Sequence, residues 1–509
     1  MTELKIGHDN KPDPNHGQTT RKTVAHGVER SFAKAVSPST PESLYKKRTQ
    51  VYPKAVKGTY RSLKWFIMAI LLGIYYITPW IRWDRGPSAP NQAVLIDFEN
   101  ARLYFFFIEI WPQEIYYITG LLILSALGLF LATALFGRVW CGYACPQTIW
   151  TDLFMAVERF FEGDRNARIK LDKSPWTSKK IAKKTGKHIA WLLISMATGG
   201  AWILYFHDAP RLLTDLFIGH APQTAYVFLA LMTFFTYALA GFMREQICTY
   251  MCPWPRIQAA MIDDQALNVT YRFDRGEPRG AHKKGETWDG RGDCIGCRQC
   301  VAVCPTGIDI RDGAQLECIG CALCIDACDD IMVKIGRPKG LIAYDTDANI
   351  ERRLKGQRNQ FNLIRPRTIL YTIAFFGVGA VMVYSLLNRS VLDMNILRDR
   401  IPNYVTLSDG SVRNGYTIKI LNKATAPREL RIDAMGLDAT QMSIVGLKKI
   451  NGQFILSVPA DETLDYKVYL AIKDVSQLSD REIFHLKLTD IKTQENTLTE
   501  TMFITGNPK

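Results

Sequence analysis

Cysteine is confined to the middle of this 509-residue chain: none occurs before residue 141 and none after residue 328. The C-terminal part therefore carries no disulfide, and it shows no cluster of catalytic side chains. The chain also does not open with a charged stretch, a short apolar run and a small-residue cleavage site, so we expect no signal peptide. No GxGxxG stretch opens a strand–helix unit, so neither a flavin nor a nicotinamide site is expected.

Long apolar stretches are the second feature of the sequence, and a helix that crosses a bilayer needs about 20 mainly apolar residues. The chain offers five runs near this length, at 65–81, 115–136, 188–206, 221–243 and 368–387. Five such runs are uncommon among the buried helices of soluble proteins. The sequence therefore predicts five membrane spans and a protein of the lipid bilayer, in a bacterial inner (cytoplasmic) membrane.

The distribution of positive charge predicts the orientation of these spans. Residues 1–64 contain 13 Lys and Arg and residues 146–187 contain 10, whereas 82–114 contain three and 207–220 contain one. Lys and Arg are enriched in the cytoplasmic loops of membrane proteins. We therefore expect the N-terminus and residues 244–367 in the cytoplasm, and residues 388–509 in the periplasm. Because the basic residues flank the spans, we expect them to meet lipid and not nucleic acid.

Composition divides the chain into five regions and predicts a multi-domain membrane protein. We expect an α-helical bundle that is joined to a ferredoxin-like α+β insert and to a C-terminal all-β immunoglobulin-like sandwich. The sandwich is expected because short alternating segments follow residue 400. The predicted regions are a disordered basic tail (1–60), a four-span domain (61–255), a cytoplasmic cluster-binding domain (256–350), a basic linker with the fifth span (351–390) and a periplasmic β-sandwich (391–509).

Eight of the twelve cysteines form two runs with the spacing of bacterial ferredoxins, CIGCRQCVAVC and CIGCALCIDAC. In this spacing the fourth cysteine of each run binds the cluster of the other run. One predicted [4Fe–4S] cluster therefore has the ligands Cys294, Cys297, Cys300 and Cys328, and the other has Cys318, Cys321, Cys324 and Cys304. Zinc fits two matching runs less well, and disulfides are disfavoured on the reducing side of a membrane. Asp329 follows Cys328 where proline is usual.

The other four cysteines lie in two CxxxCP motifs, each directly after an apolar run: Cys141 and Cys145, then Cys248 and Cys252. Residues at i and i+4 share a helix face, so each pair is expected on one face, at the cytoplasmic end of its span. Thiolates favour Cu(I), zinc or an iron–sulfur cluster. A third metal centre, a redox disulfide and two metal-free structural pairs are all open. Haem is not expected, because His188 and His207 are predicted at opposite membrane faces.

The order of these motifs resembles the FixG/RdxA/CcoG family of cytochrome c oxidase accessory proteins. The resemblance covers nearly the whole chain, from WCGYACPQTIW and CTYMCPW to the ferredoxin runs, the last span and the C-terminal domain. It implies reduction of Cu(II) to Cu(I) in the assembly of a haem–copper oxidase, with Cys141, Cys145, Cys248 and Cys252 as the site.

The partners implied are copper ions, a copper chaperone or transporter, oxidase assembly factors and an unidentified electron donor; a homodimer is left open. The alternative is an electron-transfer subunit that joins a cytoplasmic donor to a quinone or a periplasmic protein, without copper chemistry.

Overall fold

The structure is a computed structural model that describes residues 50–86, 89–283, 285–424, 426–437, 441–476 and 478–506, so most of the predicted tail at 1–60 lies outside the described residues. Its helices are α1 (Thr59–Ile77), α2 (Tyr116–Phe136), α3 (Pro146–Glu162), α4 (Arg165–Lys173), α5 (Ser178–Ile203), α6 (Ala209–Ile218), α7 (Gln223–Thr236), α8 (Trp254–Met261), α9 (Phe273–Gly276), α10 (Gln299–Val303), α11 (Leu323–Lys334), α12 (Asp347–Leu354) and α13 (Pro366–Leu387).

Its strands are β1 (Val94–Asp97), β2 (Arg102–Phe105), β3 (Ile108–Ile110), β4 (Asn268–Tyr271), β5 (Ile342–Asp345), β6 (Leu392–Arg398), β7 (Val405–Thr406), β8 (Val412–Asn422), β9 (Arg428–Met435), β10 (Gln441–Ile444), β11 (Phe454–Val458), β12 (Glu462–Ile472), β13 (Arg481–Asp490) and β14 (Asn496–Ile504). Wide helical turns, in which the N–H of residue i+5 donates to the carbonyl of residue i, occur at Trp140–Ala144, Tyr237–Met243 and Ile247–Met251.

Within the described residues, four helical segments are long and apolar enough to cross a bilayer: Thr59–Trp80, Pro112–Phe136, Gln223–Met243 and Pro366–Leu387. They coincide with the first, second, fourth and fifth predicted runs, and they identify a membrane protein. The third run falls mainly in α5, whose first ten residues include five lysines. These charges leave α5 less apolar than the other four, so a fifth span stays a prediction.

The chain divides into two compact units, and the division passes through all of the predicted spans. Unit one contains Met1–Ile74, Ser125–Gly200 and Val227–Ala374, and unit two contains Tyr75–Leu124, Ala201–Tyr226 and Phe375–Lys509. All twelve cysteines belong to unit one.

In unit one, the cysteine-rich region folds around a two-stranded antiparallel sheet. Asn268 of β4 pairs with Asp345 of β5, and Tyr271 pairs with Ile342 at the other end. Apolar side chains of both strands and of α11 bury Cys294, Cys300 and Cys328 between them. The buried members of this core are Val269, Tyr271, Cys294, Cys300, Ile310, Ala322, Ile325, Cys328, Met332, Leu341 and Ile342. The α+β character predicted for 256–350 is therefore present.

In unit two, residues after 391 form two antiparallel sheets. One has the order β10-β12-β8-β6, with β7 also paired to β8, and the other has the order β11-β9-β13-β14. Burial alternates along β8, as expected where alternate side chains of a strand point to opposite faces. Both sheets contribute to one core, which includes Tyr416 and Ile418 of β8 and Leu486 of β13. The prediction of β-structure for 391–509 is thus confirmed.

Candidate metal centres

The loops of the two ferredoxin-type runs enter the left-handed backbone region at equivalent positions. Gly296 and Gly320 have φ of 70° and 69°, and two positions later Arg298 and Ala322 have φ of 52° and 60°. Glycine enters this left-handed region without the steric cost that a Cβ imposes. A helix begins at the residue before the third cysteine of each run, α10 at Gln299 and α11 at Leu323. Equal spacing in the sequence has therefore produced two equivalent loops.

The thiols of the two runs fall into two groups of four, and each group includes the last cysteine of the other run. Cys328 interacts with Cys294, Cys297 and Cys300. Cys304 interacts in turn with Cys318, Cys321 and Cys324. The walls of one cavity include all four thiols of the second group. This donor set suits a [4Fe–4S] cluster, which thiolates bind in fours.

Clusters and single ions require different spacings of their ligands. Among the described residues, no three His, Cys, Asp or Glu side chains lie close enough together to hold one metal ion. A four-iron cluster holds its ligands farther apart than a zinc ion does, because each cysteine binds a different corner. Burial raises the pKa of Cys318 and of Cys328 to about 12, so both must lose a proton when metal binds.

The residue after the fourth cysteine determines where the helix of each run ends. In the first run Pro305 follows Cys304, and α10 ends at Val303. In the second run Asp329 takes the place of proline, and α11 continues to Lys334. A proline inside the helix would remove one backbone hydrogen bond and clash with the preceding turn. The Asp329 carboxylate also accepts a hydrogen bond of 2.8 Å from the Gly340 backbone.

The two CxxxCP motifs do not lie on one face of a regular helix, and that prediction was wrong. The Cys145 N–H donates to the Trp140 carbonyl at 2.9 Å, and the Cys252 N–H donates to the Ile247 carbonyl at 2.8 Å, so both turns are one residue wider than an α-helical turn. Cys145 itself is extended, with φ of −61° and ψ of 127°. The cause is the following proline, which disfavours helical backbone at the residue before it.

The four membrane cysteines nevertheless come together beside the second run. Cys141, Cys248 and Cys324 pack against the buried apolar cluster that contains Cys321. Burial raises the pKa of Cys141 to about 12, and the Cys145, Cys248 and Cys252 thiols also act on it. Burial likewise raises the pKa of Cys248 to about 11. The thiols of the two CxxxCP motifs therefore adjoin those of the second run inside unit one.

Glycines allow the closest approach between the first CxxxCP turn and the second run. A Cβ on Gly142 would lie 2.8 Å from the Gly320 carbonyl oxygen and 3.0 Å from the Cys321 Cα. A Cβ on Gly320 would in turn lie 3.0 Å from the Arg138 carbonyl oxygen. Side chains at either position would push the two loops apart. The Tyr344 hydroxyl donates to the Gly320 carbonyl at 2.9 Å and supports the same loop.

Arg138 joins three segments at this contact. Its guanidinium donates to the carbonyls of Leu316, of Cys318 at 2.8 Å and of Pro255 at 3.0 Å. The residue is 9% exposed. The sequence did not single out Arg138, since nothing in its local sequence separates it from the other arginines beside the spans. It is instead the cation that holds both CxxxCP segments to the second ferredoxin-type run.

Two further polar side chains that the sequence did not single out support the same region. Gln258 is fully buried, accepts a hydrogen bond of 3.2 Å from the Cys141 thiol and donates to Thr133 at 3.3 Å. Asp326, between two cluster cysteines, accepts hydrogen bonds from the backbone of Tyr60 and Arg61 at 3.2 and 2.7 Å. Its carboxylate thereby stabilises the N-terminus of α1.

Comparisons with known protein families agree with this division of the chain. A family described as a 4Fe-4S dicluster domain matches residues 243–347, and one described as a 4Fe-4S binding domain matches residues 118–164. Residues 382–506 match a family described as the IG-like fold at the C-terminus of FixG. The second match includes Cys141 and Cys145, and the first includes Cys248 and Cys252.

Three curated proteins are similar over most of their length. Protein RdxB of Cereibacter sphaeroides is 52% identical over 89% of this chain and 95% of its own. Nitrogen fixation protein FixG of Rhizobium meliloti is 47% identical over 90% of this chain and 93% of its own. Protein RdxA of C. sphaeroides is 51% identical over 80% of this chain and 86% of its own. A crystal structure of a FixG-related protein from Vibrio parahaemolyticus is 25% identical over 23% of this chain and 96% of its own, with a TM-score of 0.20.

Proposed function

Because the chain belongs to the FixG/RdxA/CcoG family, we propose that this iron–sulfur electron-transfer protein is a cupric reductase. Electrons from a cytoplasmic donor reach two [4Fe–4S] clusters and then the four cysteines of the CxxxCP motifs. One electron converts Cu(II), the substrate, to Cu(I) at these thiolates. Thiolates prefer Cu(I), so binding of the product favours the reduction.

The observation that carries this proposal is the packing of Cys141 and Cys248 against the buried apolar cluster that contains Cys321 and that Cys324 also contacts. Electron transfer becomes slower with distance, so an acceptor thiol in the same apolar cluster as the donor's ligands is well placed. Two of the four thiols suffice for Cu(I), which accepts two-coordinate binding. The proposal therefore needs no group of three ligands around one ion.

Replacement of Cys145 and Cys252 by Ser tests the proposal. The double variant should fail to form Cu(I) from Cu(II) under anaerobic conditions, while the absorbance of the two ferredoxin-type clusters stays intact. A control with Ala144→Ser and Met251→Ser introduces the same hydroxyls into the same turns and should keep parental activity. Copper reduction at the parental rate in the double cysteine variant would show that these thiols are structural.

A third iron–sulfur cluster at the same four cysteines is the second candidate, and the family match over residues 118–164 favours it. The protein would then be an electron-transfer subunit that serves a quinone or a periplasmic partner. Two clusters contain about eight irons and three contain about twelve. Loss of about four irons from the Cys145→Ser, Cys252→Ser variant would support this candidate. Copper would then have to be reduced at another site in the protein.

The proposed orientation places the clusters in the cytoplasm and residues 391–509 in the periplasm, with α5 as a fifth span in the inner membrane. The excess of Lys and Arg in residues 1–64 and 146–187 supports it. A reporter that is active only in the periplasm should be active after Lys509 and silent near Gly285. The reverse pattern would contradict the orientation and the supply of cytoplasmic electrons.

The proposed partners follow from the product. Cu(I) would pass to a copper chaperone or transporter and then to the assembly of a haem–copper oxidase. We assign the two C-terminal sheets as layers of an immunoglobulin-like sandwich that binds a periplasmic assembly factor. Copurification of an oxidase assembly factor with the full chain, and its loss when residues 391–509 are removed, would support this assignment.

A further inference from the structure

The two ferredoxin-type runs differ in their access to solvent. Of the twelve cysteines, all within the described residues, Cys297 is the exposed one. Its neighbours Gly296 and Arg298 are exposed too, whereas the equivalent residues Gly320–Ala322 of the second run are buried. A soluble redox partner can therefore approach the first cluster at the Cys297 loop.

Two exposed cations lie at this loop. Arg298 and Lys54 are exposed, and no described acidic side chain forms an ion pair with either of them. The Lys54 amine donates to Gln299, the residue after Arg298, at 3.0 Å, which places the two cations on one surface. The acidic side chain of Asp309 is already paired with Arg311, at 2.8 Å. The Cys297 loop is thus a small basic surface.

The arginine at position 298 is not required by the conformation of the loop. Its equivalent in the second run is Ala322, which has nearly the same positive φ. A residue with a side chain in this region costs free energy, and such strain is often found at functional positions. The chain itself shows that alanine adopts the same conformation, so the guanidinium is available for another role.

We propose that the surface formed by Cys297, Arg298 and Lys54 docks an acidic, soluble one-electron carrier protein. The inference rests on the proposed function, because it identifies the class of its electron donor. The carrier is oxidised by one electron and the cluster bound through Cys297 gains that electron; no bond forms or breaks and no proton moves. Opposite charges on the two proteins speed their encounter, which makes the rate depend on salt.

Reduced flavodoxin, an acidic carrier whose flavin absorbance is separable from that of the clusters, is the probe. Stopped-flow mixing with the full cluster-loaded chain in nanodiscs should show fast cluster reduction that slows as salt increases. Arg298→Glu should lower the second-order rate constant about tenfold at low salt, and Arg298→Ala should lower it less. Lys355→Glu, which changes the charge of another exposed residue, should match the parent, and dithionite should reduce all four proteins equally.

A binding readout independent of electron transfer uses zero-length carbodiimide coupling. Oxidised flavodoxin should become cross-linked through Lys54, and Lys54→Arg should remove that product while it keeps the rate. The inference is overturned if the Arg298→Glu rate equals the parental rate, if salt has no effect, or if NADH reduces the clusters as fast as flavodoxin. Absence of Cu(II) reduction with the flavodoxin pattern intact would refute the proposed function alone.

Discussion

The first and second ferredoxin-type runs share their spacing and the positive-φ positions of their loops, and they differ in what surrounds those loops. The first places Gly296–Arg298 in solvent, and the second buries Gly320–Ala322 against the CxxxCP turn that contains Gly142. Only the second is held by Arg138. The local sequence therefore sets which metal group a run can bind, while distant contacts set what that group can exchange electrons with.

The largest effect should come from the two exchanged ligands. Cys304→Ser should remove the cluster of the second run and Cys328→Ser that of the first, each with loss of about four of about eight irons. The reason is the grouping of Cys304 with Cys318, Cys321 and Cys324. Iron analysis and electron paramagnetic resonance of both reduced variants provide the measurement. Damage confined to the run that contains the substituted cysteine would contradict the exchange.

Arg138→Met should weaken the second run while it spares the first. The change leaves the carbonyls of Cys318 and Pro255 without their charged donor, and a hydrogen bond to a charged group contributes about 1.5–3 kcal/mol. Iron release to a chelator, followed separately for each cluster, should be faster for the second cluster alone. Arg138→Lys should be intermediate, since an ammonium cannot span three carbonyls in the same way. Equal release from both clusters would argue against a local role.

Matched glycine substitutions separate the conformation of the two loops from their packing. Gly296→Ala meets no heavy atom within 4 Å and suffers only from its positive φ, at about 1 kcal/mol. Gly320→Ala suffers the same strain and also presses on the Arg138 carbonyl at 3.0 Å. We expect Gly320→Ala to lower the thermal stability of the cluster-loaded protein more than Gly296→Ala. Equal midpoints of thermal unfolding for the two variants would mean that the CxxxCP turn does not press on the second run.

The smallest effect on stability should come from Arg298→Ala. The substitution reproduces the residue that the second run already has at this backbone conformation, so the free energy of unfolding should change by less than about 0.5 kcal/mol. Thermal unfolding monitored by cluster absorbance gives the value. A larger loss would assign a structural role to the guanidinium and remove the contrast between the two runs.

The features that the sequence predicted are the local ones. Cysteine spacing and apolar run length each depend on neighbouring residues, and both led to the metal-binding loops and to four of the membrane helices. The Arg138–Cys318 bond joins residues 180 positions apart, and no periodicity records such a contact. The helix-face prediction for Cys141 and Cys145 failed because Pro146 forces the turn to widen. The contrast between Cys297 and Cys321 was likewise invisible, since identical spacing surrounds both.

The most direct measurement is a single-turnover reaction of fully reduced protein with Cu(II), after removal of the reductant under anaerobic conditions. The parental chain should form about two Cu(I) per chain, one for each cluster. Cys328→Ser should still form about one, because the second cluster remains beside the CxxxCP cysteines. Cys304→Ser should form Cu(I) at less than about a tenth of the rate of Cys328→Ser, although the first cluster of Cys304→Ser is reduced. If Cys304→Ser instead forms Cu(I) as fast as Cys328→Ser, electrons do not leave through the second run.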